Sequence, residues 1–552
     1  MTLALIILAT QVHPVTTTGG VVVSDSAIAS RVGAEVLRKG GNAVDAAVAT
    51  GFALAVCFPS AGNVGGGGFM VVRLSDGTAT TLDYREVAPL KATRDMYLGP
   101  DGEVVPDLSL RGRLANGVPG TVAGLWEAHK KFGKLPWREL LEPAIALARE
   151  GFVLGENPAR GLRTSAALFR PNKDAWQIFC KDGDFYQEGD VLKQEDLART
   201  LERVREQGRD GFYKGETARL LVSDAARNGG LFTLEDLSGY EAKLREPVRG
   251  TYRGYEVITM PPPSSGGVAL VEMLNVLELH DLKAMEPGSA AYVHLLVEAM
   301  KRAFADRAQH MGDPDFARVP VSALTAKEYA ASLNAGISLT RATPSSRIKA
   351  MFAPPGEGTN TTHFSVVDKD GNAVANTYTL NTGYGSGVVA EGTGVLLNNE
   401  MDDFTSKPGV PNAYGLIQGE ANAIAPRKRP LSSMTPTIIV REGKLFMVTG
   451  SPGGPTIINT VMHSFLNVVE HGMTVQQAVA FPRFHHQWLP DVVNWEVLGL
   501  SFETRSALEA MGHSLARPAS IGSCHAVVVD ASGRRRAGVD PRIQGAGAAV
   551  AN

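Results

Sequence analysis

Two adjacent threonines, Thr361 and Thr362, stand where a Gly- and Pro-rich stretch, MFAPPGEGTN (351–360), meets HFSVVDKDGNAVANTYTL. A threonine hydroxyl is a weak nucleophile until a base takes its proton, and within a chain threonine is usually a β-branched strand residue. Three features set this pair apart. The stretch before it carries no apolar period and has the composition of an exposed loop, where chains are cut. The segment NTYTLN (376–381) returns along a hairpin and brings further hydroxyl and amide groups alongside. Downstream, MVTGSPGGPTIINTVM (447–462) reads as a strand, a Gly-rich turn and a helix start, where the N–H groups of Gly453 and Gly454 would meet an oxyanion. Nucleophile and oxyanion donors together are what acyl transfer needs. Residue types alone leave open which threonine would act.

The elements that must hold these groups are legible by pattern. VVVSDSAIASRVGAEVLRKGGNAVDAAVATGFALAVCF (21–58) predicts a strand and two helices broken at Gly40-Gly41, with Ser24 or Asp25 capping the first and Asn42 the second. The second is almost entirely Ala, Val and Leu, so burial on every side is expected. GGGGFMVVRL leads into a strand, Ser75-Asp76-Gly77 turns it, and TATTLDYRE returns. Asp370-Gly371 predicts a tight turn for the hairpin after Thr362. Residues from about 120 to 350 carry amphipathic helical patterns, among them AAYVHLLVEAMKRAFADRAQHMG, and MPPPSSGGVAL (260–270) predicts a Pro-fixed turn with a Ser cap opening a helix. Antiparallel strands around buried helices indicate a layered α/β protein.

Composition excludes several classes. The 552 residues are 44% hydrophobic and 20% charged, ordinary globular values. With 54 basic and 57 acidic residues the net charge is −3, and no basic stripe interleaved with aromatics suggests nucleic acid. Three distant cysteines, Cys57, Cys180 and Cys524, offer neither a disulfide framework nor a Cys metal site. His485-His486 invites a metal reading, but neighbours on a strand point to opposite faces and no carboxylate stands at a familiar ligand spacing, so structural roles are expected.

The motifs together resemble the γ-glutamyltranspeptidases. TTHFSVVDKDGNAVANTYTLN, LLNNEMDDF, KRPLSSMTPTI, TGSPGGPTIINT and FPRFHHQWLPD occur in that family's order, and GGNAVDAAVAT, GGGGFM, DYREVAP, GVPGTVAG, MPPPSSGG and GDPDF extend the match across nearly the whole chain. The resemblance implies a four-layer αββα sandwich of the N-terminal nucleophile hydrolase type and self-cleavage between Asn360 and Thr361. That cut would give a large fragment, 1–360, and a small one, 361–552, forming one structural unit. It chooses Thr361 as the nucleophile. Freed as a terminus, its α-amine, with a pKa of about 7.7–8, can serve as base near neutral pH.

Further roles follow from the resemblance. Arg85, Ser432 and Ser433 would hold the α-carboxylate of a γ-glutamyl group, and Asn381, Glu400 and Asp403 its α-ammonium. Thr379 would support the nucleophile by hydrogen bonding, Gly453 and Gly454 would form the oxyanion hole, and 406–420 would be a lid with Tyr414 over the pocket. Glu400 stands where many bacterial members have Gln. A lid favours small substrates such as glutathione, with water, amino acids or dipeptides as acceptors, and neither metal nor organic cofactor is implied. Same-fold rivals are a glutaryl β-lactam acylase and a non-catalytic scaffold. The first 12 residues resemble the stump of a secretory signal, and a periplasmic or secreted location is expected.

Overall fold

The structure, a computed structural model, describes residues 14–181, 184–348, 361–517, 519–542 and 547–552. Residues 1–12 and Asn360 lie outside the described residues, and with them the signal-segment reading and half of the expected scissile bond.

Two seven-stranded antiparallel sheets make the frame. In the first, Thr362–Val367 is flanked by Val21–Ser24 and Ala373–Thr379, and the sheet continues through Gly67–Arg73, Ala79–Tyr84 and Lys243–Arg245, with Ala548–Ala551 at its other edge. The second runs in the order Val15–Thr17, Arg535–Gly538, His525–Val529, Lys444–Gly450, Thr437–Arg441, Tyr255–Thr259 and Val248–Tyr252. Both sheets mix strands from before and after position 361.

The hydrophobic clusters define four layers. Val21, Val23, Val71, Val367, Ala373 and Ala375 of the first sheet pack against Ile258, Ile438, Val440, Val448 and Val527 of the second, so the sheets lie face to face. The opposite face of the first sheet, with Val22, Met70, Val72, Phe364, Val366 and Val374, packs on helices that include Ala43–Cys57 and Trp137–Glu150. The outer face of the second packs on Gly266–Leu277, Ala290–His310 and Thr456–Val469. This is the αββα sandwich.

Local signals mostly act as expected. Asn42 caps Ala43–Cys57 in a capping box with Asp45, and all fifteen residues of that helix are buried. The first helix, Ala27–Arg38, is capped by Ser26, not by Ser24 or Asp25. Ser24 belongs to the strand, and both Asp25 oxygens are engaged elsewhere. Ser265 at the start of Gly266–Leu277 makes no side-chain cap; its hydroxyl donates instead to the Ser432 carbonyl at 2.7 Å, so the Pro-fixed turn backs the wall of a cleft.

Candidate active site

Strand parity separates the two threonines. Successive side chains of a strand point to opposite faces, and Phe364 and Val366 face the helices. Thr362 shares that side and donates from its hydroxyl to Asp25, which His525 Nε2 also contacts at 3.0 Å. Thr361 therefore belongs to the face between the sheets, as Thr379 does on the partner strand. The Thr361 hydroxyl reaches Thr379 Oγ1 at 3.4 Å, and Thr379 Oγ1 accepts from the Asn381 amide at 2.8 Å.

Thr361 opens onto two clefts. The smaller is lined by Arg85, Arg307, Thr379, Asn381, Glu400, Asp403, Tyr414, Ser432, Ser433 and Gly454; its free volume is only about 20 Å³. The larger, about 530 Å³, runs past Asp25, Ser60, Tyr384, Gly453 and Ser523. Every residue expected from the sequence to hold a γ-glutamyl group thus lines one cleft, with the hydroxyl at its junction with a roomier one.

The Gly-rich turn carries the amides expected as oxyanion donors. Gly453 (φ 132°) and Gly454 (φ 54°) lie in the left-handed region, where a Cβ is costly. A Cβ on Gly454 would stand 2.6 Å from the Tyr414 ring. Among the described residues neither amide donates to a protein acceptor. One glycine lines each cleft beside Thr361.

At the far end of the small cleft lies a buried ion cluster. Arg85 is fully buried at the end of Ala79–Tyr84 and contacts Glu400 and Asp403 through its two terminal nitrogens, while Nε and Nη2 also donate to the carbonyls of Pro430 and Leu431 at 3.2 Å. Burial works against its charge, but Glu400, Asp403 and Glu86 more than offset this and hold it cationic. Glu86, 3.7 Å from Arg85 Nη1, is itself fully buried, and burial pushes its carboxyl up to about 7. Burial also raises Glu400, with Arg85 opposing. The groups expected to take the carboxylate and the ammonium of a zwitterion therefore pair with one another, and a zwitterion can replace that pairing charge for charge.

The segment expected to be a lid is tied to the same cluster. Asn412 donates to Asp403 Oδ1 at 3.0 Å, the Ala413 amide to Asp402 Oδ2 at 2.9 Å, and the Tyr414 hydroxyl to the Asn381 carbonyl. Tyr414 is buried and closes the cleft beside Gly454.

His485 and His486 stand apart from this chemistry. His485 contacts Asn459 at 2.7 Å and Gln487 at 3.0 Å, His486 contacts Asp491 at 3.2 Å, and burial lowers His485 to about 3. Elsewhere, His294, Glu298 and His513 bring potential ligand atoms within 4.8 Å of one another. Those atoms are already engaged: Glu298 accepts from Arg302 and the Thr343 amide, and His294 meets His513 and the Ser338 carbonyl at 2.8 and 2.7 Å. Sequence reasoning missed this cluster, as it missed Glu86, Asp25 and Arg307. Glu86 lies beside Arg85 in DYREVAP, and Arg307 in the helical pattern just before GDPDF, where no sequence signal marks a role for either.

A family profile described as gamma-glutamyltranspeptidase matches residues 29–550. The chain belongs to this family. The glutathione hydrolase proenzyme of Escherichia coli strain K12 is 50% identical over 531 residues, covering 96% of this chain and 91% of that protein. Among solved structures, the cephalosporin acylase from Bacillus halodurans superposes with a TM-score of 0.85 at 26% identity, covering 98% of this chain and 97% of that one. The γ-glutamyltranspeptidase of Helicobacter pylori gives a TM-score of 0.58 at 48% identity over 58% of this chain and 93% of its own. Identity to the Escherichia coli and Helicobacter pylori proteins, 50% and 48%, is higher than the 26% to the Bacillus halodurans acylase; the acylase ACY 1 proenzyme of Pseudomonas sp. strain V22 is 39% identical over 529 residues, covering 94% of this chain and 91% of that protein.

Proposed function

We propose that this γ-glutamyltranspeptidase is made as a precursor, cuts itself between Asn360 and Thr361, and then cleaves the γ-glutamyl amide of glutathione and related compounds. The observation that carries the reading is that Thr361 lines both the cleft that holds Gly453 and the cleft that holds Gly454 with Arg85, Asn381, Glu400, Asp403, Ser432 and Ser433. The proenzyme name of the Escherichia coli relative supports the processing step.

In processing, Thr361 Oγ attacks the Asn360 carbonyl carbon; the C–N bond breaks as the acyl group passes from nitrogen to oxygen. That shift frees the Thr361 amine, and water then hydrolyses the ester, releasing the Asn360 carboxylate and restoring the Thr361 hydroxyl. That amine, with a pKa of about 7.7–8, then serves as base for the neighbouring hydroxyl.

In turnover, Arg85, Ser432 and Ser433 hold the α-carboxylate of the donor, and Asn381, Glu400 and Asp403 its α-ammonium. Thr361 Oγ attacks the γ-carbonyl, and the oxyanion lies on the Gly453 and Gly454 amides, a contribution of about 2.7–4 kcal/mol per donor in comparable sites. The amine of the leaving group takes the proton and departs through the wider cleft. Water or an amino-acid or dipeptide amine resolves the γ-glutamyl ester. Thr379 orients the nucleophile, and Tyr414 keeps the lid over the bound group.

Purified protein should run as two bands on a denaturing gel and hydrolyse γ-glutamyl-p-nitroanilide far faster than glutaryl-p-nitroanilide. Preference for the glutaryl compound would make it an acylase, and a single inactive band would make it a scaffold. Among the described residues no helix is long and apolar enough to cross a membrane. We place the mature enzyme outside the cytoplasm, a location that activity in a periplasmic or culture-medium fraction would support.

A further inference from the structure

Arg307 lies in the last turn of Ala290–His310 with its side chain almost fully buried, and it lines the cleft that holds Arg85 and Thr361. Its Nε donates to Ser265 Oγ at 2.9 Å and its Nη2 to Ser433 Oγ at 3.2 Å. Nη1 is buried without a hydrogen-bond partner among the described residues. Several other buried guanidiniums have carboxylates of their own: Arg85 has Glu400 and Asp403, Arg302 has Glu298, and Arg483 has Asp540; Arg73, which has none, uses both terminal nitrogens on the carbonyls of Leu74 and Gly443. Arg307 also has no carboxylate within ion-pair distance among the described residues; Asp403 acts on it only at longer range, and Arg85 repels it. A buried, unpaired charge is costly, and a missing donor contact adds to the cost. A ligand bringing an anion to this point would relieve both.

We propose that Arg307 is a specificity-determining residue for the α-carboxylate of the donor, fixing the Ser433 hydroxyl for that carboxylate and directing its own Nη1 to the same group. The proposal rests on the γ-glutamyl reading above. Ser433 Oγ accepts its hydrogen bond from Arg307 and so turns its own hydrogen toward another acceptor. Ser265 completes the arrangement from behind: it accepts from Arg307 and donates to the carbonyl of Ser432, the second serine of the wall. Arg85 supplies charge already balanced by acids, whereas Arg307 supplies charge that only the ligand balances.

The test compares two donors that differ only at the α-carboxylate, γ-glutamyl-p-nitroanilide and 4-aminobutyryl-p-nitroanilide, in wild type, Arg307→Gln and Arg307→Lys. The two-band gel pattern serves as the check on folding and processing. In Arg307→Gln, KM for the γ-glutamyl donor should rise by about ten- to a hundredfold, the range of a charge-assisted contact, with a much smaller change in kcat. The ratio of kcat/KM between the donors should fall correspondingly, and Arg307→Lys should restore part of it. An equal loss on both donors, or an unchanged ratio, overturns the proposal. Calorimetric binding of L-glutamate against 4-aminobutyrate makes the same comparison without turnover: lost preference for glutamate in Arg307→Gln supports the assignment, and retained preference overturns it. Failure of the γ-glutamyl reading would appear separately, as wild type that does not turn over the γ-glutamyl donor.

Discussion

Thr361 Oγ1 stands 3.4 Å from Thr379 Oγ1, while the hydroxyl of the next residue, Thr362, donates to Asp25, which also meets His525 of the second sheet. Two chemically identical neighbours are thus committed to different tasks by the two-residue period of a strand. Thr361→Ala should give one uncut band and no turnover, whereas Thr379→Ala should slow both the appearance of two bands and the turnover of γ-glutamyl-p-nitroanilide. A time course on denaturing gels with parallel rate measurements checks this, and rapid processing in Thr361→Ala would refute the assignment.

Thr362 should matter for stability. Its hydroxyl donates to a carboxylate that His525 also holds, so Thr362→Val leaves a buried Asp25 oxygen short of a donor at nearly unchanged volume. A loss of about 1–3 kcal/mol is expected, measured by urea unfolding, with activity per processed molecule within a few-fold of wild type.

Glu86 predicts a pH slope. Its folded pKa of about 7 lies above the ordinary 4.5, raised first by burial. Between these values the folded state binds the proton more tightly than the unfolded state, so this contribution is fully present below about pH 4.5 and is lost as pH rises through 7. Unfolding midpoints should therefore fall across that interval at this group, and Glu86→Gln, which cannot ionise, should flatten the slope. An identical slope in the variant would remove Glu86 as its source.

Gly454→Ala places a side chain at φ 54° and 2.6 Å from the Tyr414 ring. Because Gly454 is assigned an oxyanion donor, kcat should fall by about a hundred- to a thousandfold. A loss confined to KM would mean that the residue only shapes the pocket.

Asp403 joins Arg85 to the proposed lid through Asn412. Asp403→Asn should raise KM for the γ-glutamyl donor and make the lid more accessible to a protease, while Glu400→Gln, which leaves the contact to Asn412 in place, should raise KM alone. Limited proteolysis of both variants beside steady-state kinetics separates the two effects.

Much of this protein is written locally. The hairpin turn at Asp370-Gly371, the capping box of Asn42 and Asp45, the wholly buried helix Ala43–Cys57 and the glycine pair before Thr456 depend on neighbours in sequence, and their patterns are read directly. Where two neighbouring side chains compete for one task, local pattern falters: Ser26 caps the first helix because Ser24 is taken by the strand and Asp25 by Thr362 and His525.

Pattern in the sequence by itself pointed to the layered architecture and an exposed loop before Thr361, and the family resemblance supplied the expected cleavage junction and site residues, because periodicity, turn chemistry and motif order are properties of the chain. Only the tertiary structure decided which way those residues face and what they meet. Arg85, Glu400 and Arg307 are separated by hundreds of positions or by whole layers, and burial in one cleft gives their charges consequences that none has alone. A guanidinium that is ordinary in water becomes, once enclosed without a carboxylate, a group that selects for an anion.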